Sequence, residues 1–105
     1  MRADMVIHPG EVLREDFLVP FALSANKLAG AMGVPANRIT AILNGTRGIS
    51  GETALLLSKV FGNTPEFWLN LQSRYELDLA VAHTAQTRLA AAEAFGRTLS
   101  PVEGG

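Results

Sequence analysis

The stretch MGVPANRITAILNGTRG, Met32 to Gly48, sets amide, hydroxyl and guanidinium side chains among apolar ones at helical spacing. Asn37 can give a bidentate amide contact to an adenine edge, and Arg38 can reach a guanine or a phosphate. Thr40 offers a hydroxyl, or its methyl to a thymine. Ala36 and Ala41 are small enough to admit close approach to bases. Ser24, Asn26 and Lys27 precede this stretch, and Asn44, Thr46 and Arg47 end it. Amides, hydroxyls and cations at such flanks suit phosphate oxygens, which position a protein on a duplex without reading it. The blander alternative is a solvated helix face, with Ser24 an N-cap and Asn44-Gly45 a C-cap.

Charge distribution favours the first reading. The 105 residues carry a net charge of −1, yet residues 17–51 contain Lys27, Arg38 and Arg47 and no acid. The segments on either side are each net −2. A basic, acid-free third is what an anion-facing surface needs.

Catalysis finds no comparable set. There is no cysteine, and the two histidines, His8 and His83, are far apart in sequence. No metal set and no nucleophile–base pair can be assembled. His8 reads as a surface or capping residue ahead of the first helix. No cofactor, metal site or small-molecule substrate is expected. No apolar run reaches the roughly 18 residues that span a bilayer, and MRADMVIHPGEVL lacks the apolar centre of a secretory signal. A cytoplasmic protein without membrane partners is expected.

The elements that must hold these side chains read as five helices and no strand, in a single domain. The first spans about Gly10–Phe21, with Val12, Leu13, Phe17 and Leu18 as its buried stripe and Pro20 at its end. The second follows the N-cap Ser24 and stops at Gly33. The third opens with Pro35 as its first residue and carries Ile39, Ile42 and Leu43 inward. Ser50 caps the fourth, which ends at Gly62. Thr64-Pro65 starts a long fifth helix to about Ala94, followed by a tail over 96–105.

The second and third helices, joined by Gly33-Val34, have the spacing of a helix-turn-helix, whose second helix enters a major groove. Leu28, Ala29, Val34, Ile39 and Ile42 supply the buried positions that fix the two at a steep angle. One short helix makes few contacts, so a twofold dimer reading a palindrome is expected. Its seam is expected on the fifth helix, at Trp68, Leu71, Tyr75 and Leu79; the alternative for Trp68 is intramolecular core.

The segments IHPGEVLREDFL, LSANKLAGAMGVPANRITAILNGTRGIS and TALLLSKVFGNTPEFWLNLQSRYELDLA resemble the HigA-type antitoxins, a branch of the Xre/Cro-like helix-turn-helix family. The resemblance covers about residues 7–80. It implies an all-α dimer; the residues themselves place the DNA-binding core over 7–63 and a dimerising segment over 64–95, and the extension after about residue 80 has no family role. The resemblance also implies repression of the chain's own operon through palindromic operator DNA, and neutralisation of a RelE-like toxin that cleaves messenger RNA on the ribosome. A stand-alone regulator without a toxin is the alternative. Ala36, Asn37, Arg38, Thr40 and Ala41 match the family's reading positions. The wider family often has an adenine-reading glutamine where this chain has Ala36, so readout is expected to lean on Asn37, Arg38 and Thr40.

Overall fold

The structure, a computed structural model, describes residues 6–102. Among them it contains six α-helices: α1 (Pro9–Val12), α2 (Ala25–Met32), α3 (Ala36–Leu43), α4 (Gly51–Phe61), α5 (Pro65–His83) and α6 (Gln86–Gly96). Residues 1–5 and 103–105 lie outside the described residues, and with them the end of the expected tail over 96–105.

Each start has a local cause. The Ser24 hydroxyl accepts from Lys27 N at 3.1 Å, and the Thr64 hydroxyl accepts from Phe67 N at 3.1 Å. The Ser50 hydroxyl accepts from Thr53 N at 3.3 Å. Each satisfies one of the donors that a helix N-terminus leaves unpaired. Gly33, at φ 70°, ψ 30°, ends α2 in the left-handed region, which costs a residue without a Cβ little. Pro35 sits at φ −62°, ψ 145° as the N-cap of α3, one residue earlier in role than the sequence predicts.

The first helix differs from its expected form. After α1 the chain continues as a π-helical segment, Leu13–Leu18, and then turns over 19–22. Val19 N bonds the Arg14 carbonyl and Leu23 N the Leu18 carbonyl, each five residues back and each at 2.9 Å. Pro20 has no N–H with which to continue any ladder, so the helix yields to a turn there. Ala22 closes the turn at φ 50°, a strained conformation for a residue with a Cβ.

The expected fifth helix is two. Thr84 (φ −88°, ψ 127°) and Ala85 (φ −62°, ψ 138°) are extended and separate α5 from α6. Every residue from Ala85 to Val102 is exposed, so tertiary packing does not enforce helix continuity at this point. β-branched Thr84 is a poor helix former, and unsupported helices break where propensity is weakest.

The core is built from Leu13, Leu18, Leu28, Ala29, Met32, Ile39, Ile42, Ile49, Ala54, Leu57 and Trp68. Ile39 and Ile42 are fully buried, each contributing about 1.5–3 kcal/mol to seating α3. Trp68 corrects the expected dimer seam. It is 0% exposed, ringed by Phe17, Phe61 and Phe67 at centroid distances of 4.9, 6.1 and 5.1 Å. Its indole N–H donates to Asn63 Oδ1 at 2.8 Å. A side chain enclosed on all sides by its own protomer has no surface to offer a partner.

Beyond this core the molecule is extended, measuring 56 × 35 × 23 Å. Its radius of gyration is 18.6 Å, against about 13 Å for a compact chain of this length. No helix among the described residues is long and apolar enough to cross a membrane.

Candidate nucleic-acid interface

Helix α3 divides by face. Ile39 and Ile42 point into the core, while Ala36, Asn37 and Thr40 are exposed and Arg38 and Ala41 half-buried. Residues 36, 40 and 44 recur every four positions and 37, 41 and 44 nearly so, which puts them on one side of the helix. Pro35 supplies no side-chain cap; Arg38 N bonds the Pro35 carbonyl at 3.0 Å, which leaves the N–H groups of Ala36 and Asn37 without a partner among the described residues at the positive end of the helix dipole. Thr40 Oγ1 donates to the Asn37 carbonyl at 3.3 Å.

The far end of α3 is closed by its own flanks. The Ala41 carbonyl accepts from Thr46 N at 3.0 Å, from Thr46 Oγ1 at 3.2 Å and from Arg47 N at 3.2 Å. The Leu43 carbonyl accepts from Arg14 Nη2 at 3.0 Å. Asn44, Thr46 and Arg47 are exposed here, as are Ser24, Asn26 and Lys27 at the start of α2. Lys27 and Arg47 make no ion pair among the described residues.

Arg38 differs. Its Nη1 lies 2.8 Å from Glu52 Oε1, with the arginine side chain 21% exposed and the glutamate 70%. The acid-free span of the sequence ends at residue 51, and folding returns Glu52 to its central cation. Of the three cations in the acid-free span, Lys27 and Arg47 are the two without an ion pair among the described residues.

The family described as Helix-turn-helix matches residues 16–69, which contain α2, α3 and α4. A solved structure titled as an addiction module antidote protein of a HigA family from Coxiella burnetii is 43% identical. The match covers 97% of this chain and all of that one, with a TM-score of 0.71. The chain belongs to the HigA-type helix-turn-helix family. The HigA antitoxin of Pseudomonas aeruginosa, solved with the higBA promoter, is 37% identical over 93% of this chain and 99% of that one, at a TM-score of 0.73. Virulence-associated protein I of Dichelobacter nodosus is 49% identical over 74 residues, 70% of this chain and 68% of that protein. The chain spans 61–64% of the length of several other curated relatives.

Three residues that support this HigA-type surface have no signal in sequence periodicity. Arg14 reaches across 29 positions to cap α3. Gln72 on α5 accepts from Ile49 N at 2.8 Å and donates to Glu76 at 2.8 Å, pinning the loop between α3 and α4. His8 caps α1: its Nδ1 accepts from Gly10 N at 2.9 Å. The same ring packs edge-on against Tyr75 at 4.7 Å and faces the backbone of Arg47. One imidazole thus joins α1, the loop carrying Arg47, and α5.

Burial pushes the His8 pKa below its ordinary 6.5, and the Arg47 backbone that it faces only partly opposes this. A neutral ring is required because Nδ1 is an acceptor. With the folded pKa depressed, the unfolded chain takes up the proton first, so stability present above about pH 6.5 is lost as pH falls through the folded value. We expect the thermal midpoint to fall between about pH 7 and about pH 5. His8→Asn retains a capping acceptor and should flatten that part of the profile; an unchanged slope would remove His8 from the account.

Proposed function

We propose that this HigA-type chain is an operator-binding antitoxin that represses its own operon and neutralises a RelE-like, mRNA-cleaving toxin in the cytoplasm. The observation that carries the DNA reading is the outward row of α3, Asn37 and Thr40 beside small Ala36 and Ala41, on a helix whose start carries no side-chain cap. Helix α3 enters the major groove, Asn37 and Thr40 read base edges, and Arg38 supports them. Ser24, Asn26 and Lys27 meet phosphates on one side, and Asn44, Thr46 and Arg47 on the other. The promoter complex of the P. aeruginosa relative supports this reading.

The chain acts as a twofold dimer on a palindrome, with half-sites about 34 Å apart. Its accessible surface of 7330 Å² exceeds the roughly 5,700 Å² of a typical monomer of this mass by about 1,600 Å². A standard interface buries about 800 Å² per partner. Leu71 packs on the core and Tyr75 on His8 within the protomer, on the same side of α5 as Leu79; exposed Leu77 and Val81 lie on the other side of the helix, and the seam is proposed there.

The test is a gel shift with the DNA upstream of the chain's own coding sequence. Asn37→Ala should weaken binding about tenfold to a hundredfold, the worth of one bidentate base contact, with the dimer intact. An unchanged shift for Asn37→Ala and Thr40→Ala together would dismiss α3 as the reader. The toxin half is tested by the adjacent small basic reading frame: toxicity when expressed alone, relieved by this chain, separates an antitoxin from a stand-alone regulator.

A further inference from the structure

Glu52 stands at the second position of α4, where the dipole of the helix N-terminus favours a carboxylate. The start of α4 is fixed in turn: the Ser50 hydroxyl accepts from Thr53 N and contacts Thr53 Oγ1 at 3.2 Å. From there the carboxylate holds Arg38 Nη1 at 2.8 Å. The pair is asymmetric, its arginine largely enclosed and its glutamate open to solvent. An ion pair with one partner so exposed adds little to stability. Its effect is geometric, because it removes the rotamer freedom of the longest polar side chain on α3.

Only one corner of the guanidinium is used. Arg38 Nε is shielded from water and has no hydrogen-bond partner, whereas buried donors in folded proteins are nearly always paired. Nη2 has no partner among the described residues and is not shielded in this way, so it is the donor left for a ligand. Its N–H groups can meet an acceptor on a phosphate or on guanine O6 or N7.

We propose that Glu52 is a positioning residue for DNA recognition, holding Arg38 by Nη1 so that its free Nη2 meets an acceptor on the duplex. This rests on the DNA-binding reading above. A side chain ordered before binding gives up less entropy when the duplex arrives, so Glu52 strengthens binding although its charge repels phosphate. Removing this acid is therefore expected to weaken DNA binding, the reverse of what net charge alone predicts.

The experiment measures anisotropy of two labelled duplexes across a salt series: the DNA upstream of the chain's own coding sequence, and a scrambled duplex of equal length. Glu52→Gln keeps the size of the side chain and removes its charge; Glu52→Ala removes both. Each should weaken binding to the upstream duplex by about fivefold to tenfold with the thermal midpoint little changed. Arg38→Ala should cost at least as much, and Arg38→Ala with Glu52→Ala no more than Arg38→Ala alone, since the two act as a unit. Loss confined to the upstream duplex assigns the acceptor to a base. Equal loss on both duplexes, with the salt slope lowered by about one ion, assigns it to a phosphate. Binding unchanged or tightened by Glu52→Gln, or losses that multiply in the double variant, would overturn the proposal. Failure of the wild-type chain to distinguish the two duplexes would instead remove the DNA reading itself.

Discussion

Gly10→Ala should come close to unfolding this protein. A Cβ at Gly10 would lie 2.0 Å from the Ile42 carbonyl oxygen and 2.8 Å from its carbon. Both are main-chain atoms of α3, so no rotamer change relieves the clash. Helix α1 must move off α3, and three interactions move with it. Gly10 N–H loses its acceptor on His8, His8 shifts against Tyr75, and Arg14 is drawn from the Leu43 carbonyl. The combined cost is about 3–5 kcal/mol, at the upper end for a single substitution. Against a total stability of about 5–15 kcal/mol, the midpoint should fall by about 15–30 °C. Gly30→Ala is the control. Gly30 is exposed within α2 and a Cβ there meets nothing, so the gain in helix propensity should stabilise by about 0.5–1 kcal/mol. Thermal unfolding followed by circular dichroism reads both; a Gly10→Ala midpoint within a few degrees of wild type would refute the close contact.

Gly10 also shows what sequence patterning can and cannot convey. Periodicity and capping rules act over a few residues. They therefore located α2, α3 and α4, the caps Ser24, Ser50 and Thr64, the left-handed Gly33, and the inward side of α3. The Gly10–Ile42 contact joins residues 32 positions apart and the Arg38–Glu52 pair residues 14 apart. Neither spacing belongs to a local repeat. Counting charges along the chain isolated an acid-free segment, but Coulomb attraction acts through space, and the first acid beyond that segment folds back onto Arg38. Trp68 was legible as a large apolar anchor on α5, but a helical wheel does not say which neighbour fills its surroundings. The answer, an aromatic cage of Phe17, Phe61 and Phe67, depends on how the π-helical segment aims Phe17. The break at Thr84 escapes notice because neither proline nor glycine marks it.

The burial of Trp68 sharpens how the dimer should be tested. Truncating it would collapse the protomer and say nothing about assembly, whereas the outer side of α5 can be altered without touching the core. Leu77 and Val81 are 54% and 68% exposed and stand one helical turn apart. In the proposed dimer, Leu77→Glu with Val81→Glu places two carboxylates at the seam, and the like charges face their own symmetry mates across the twofold axis. Sedimentation at micromolar concentration should show a monomer in place of a dimer. Operator affinity should fall by about 10²–10⁴-fold, because the second half-site no longer benefits from the effective concentration that a linked recognition helix provides. The protomer should remain helical, since neither side chain belongs to the core. Binding to a single half-site should change little, which separates loss of assembly from damage to α3. A variant that still sediments as a dimer would move the seam off this side of α5. Exposed Leu89 and Phe95 on α6 would then be the next surface to alter.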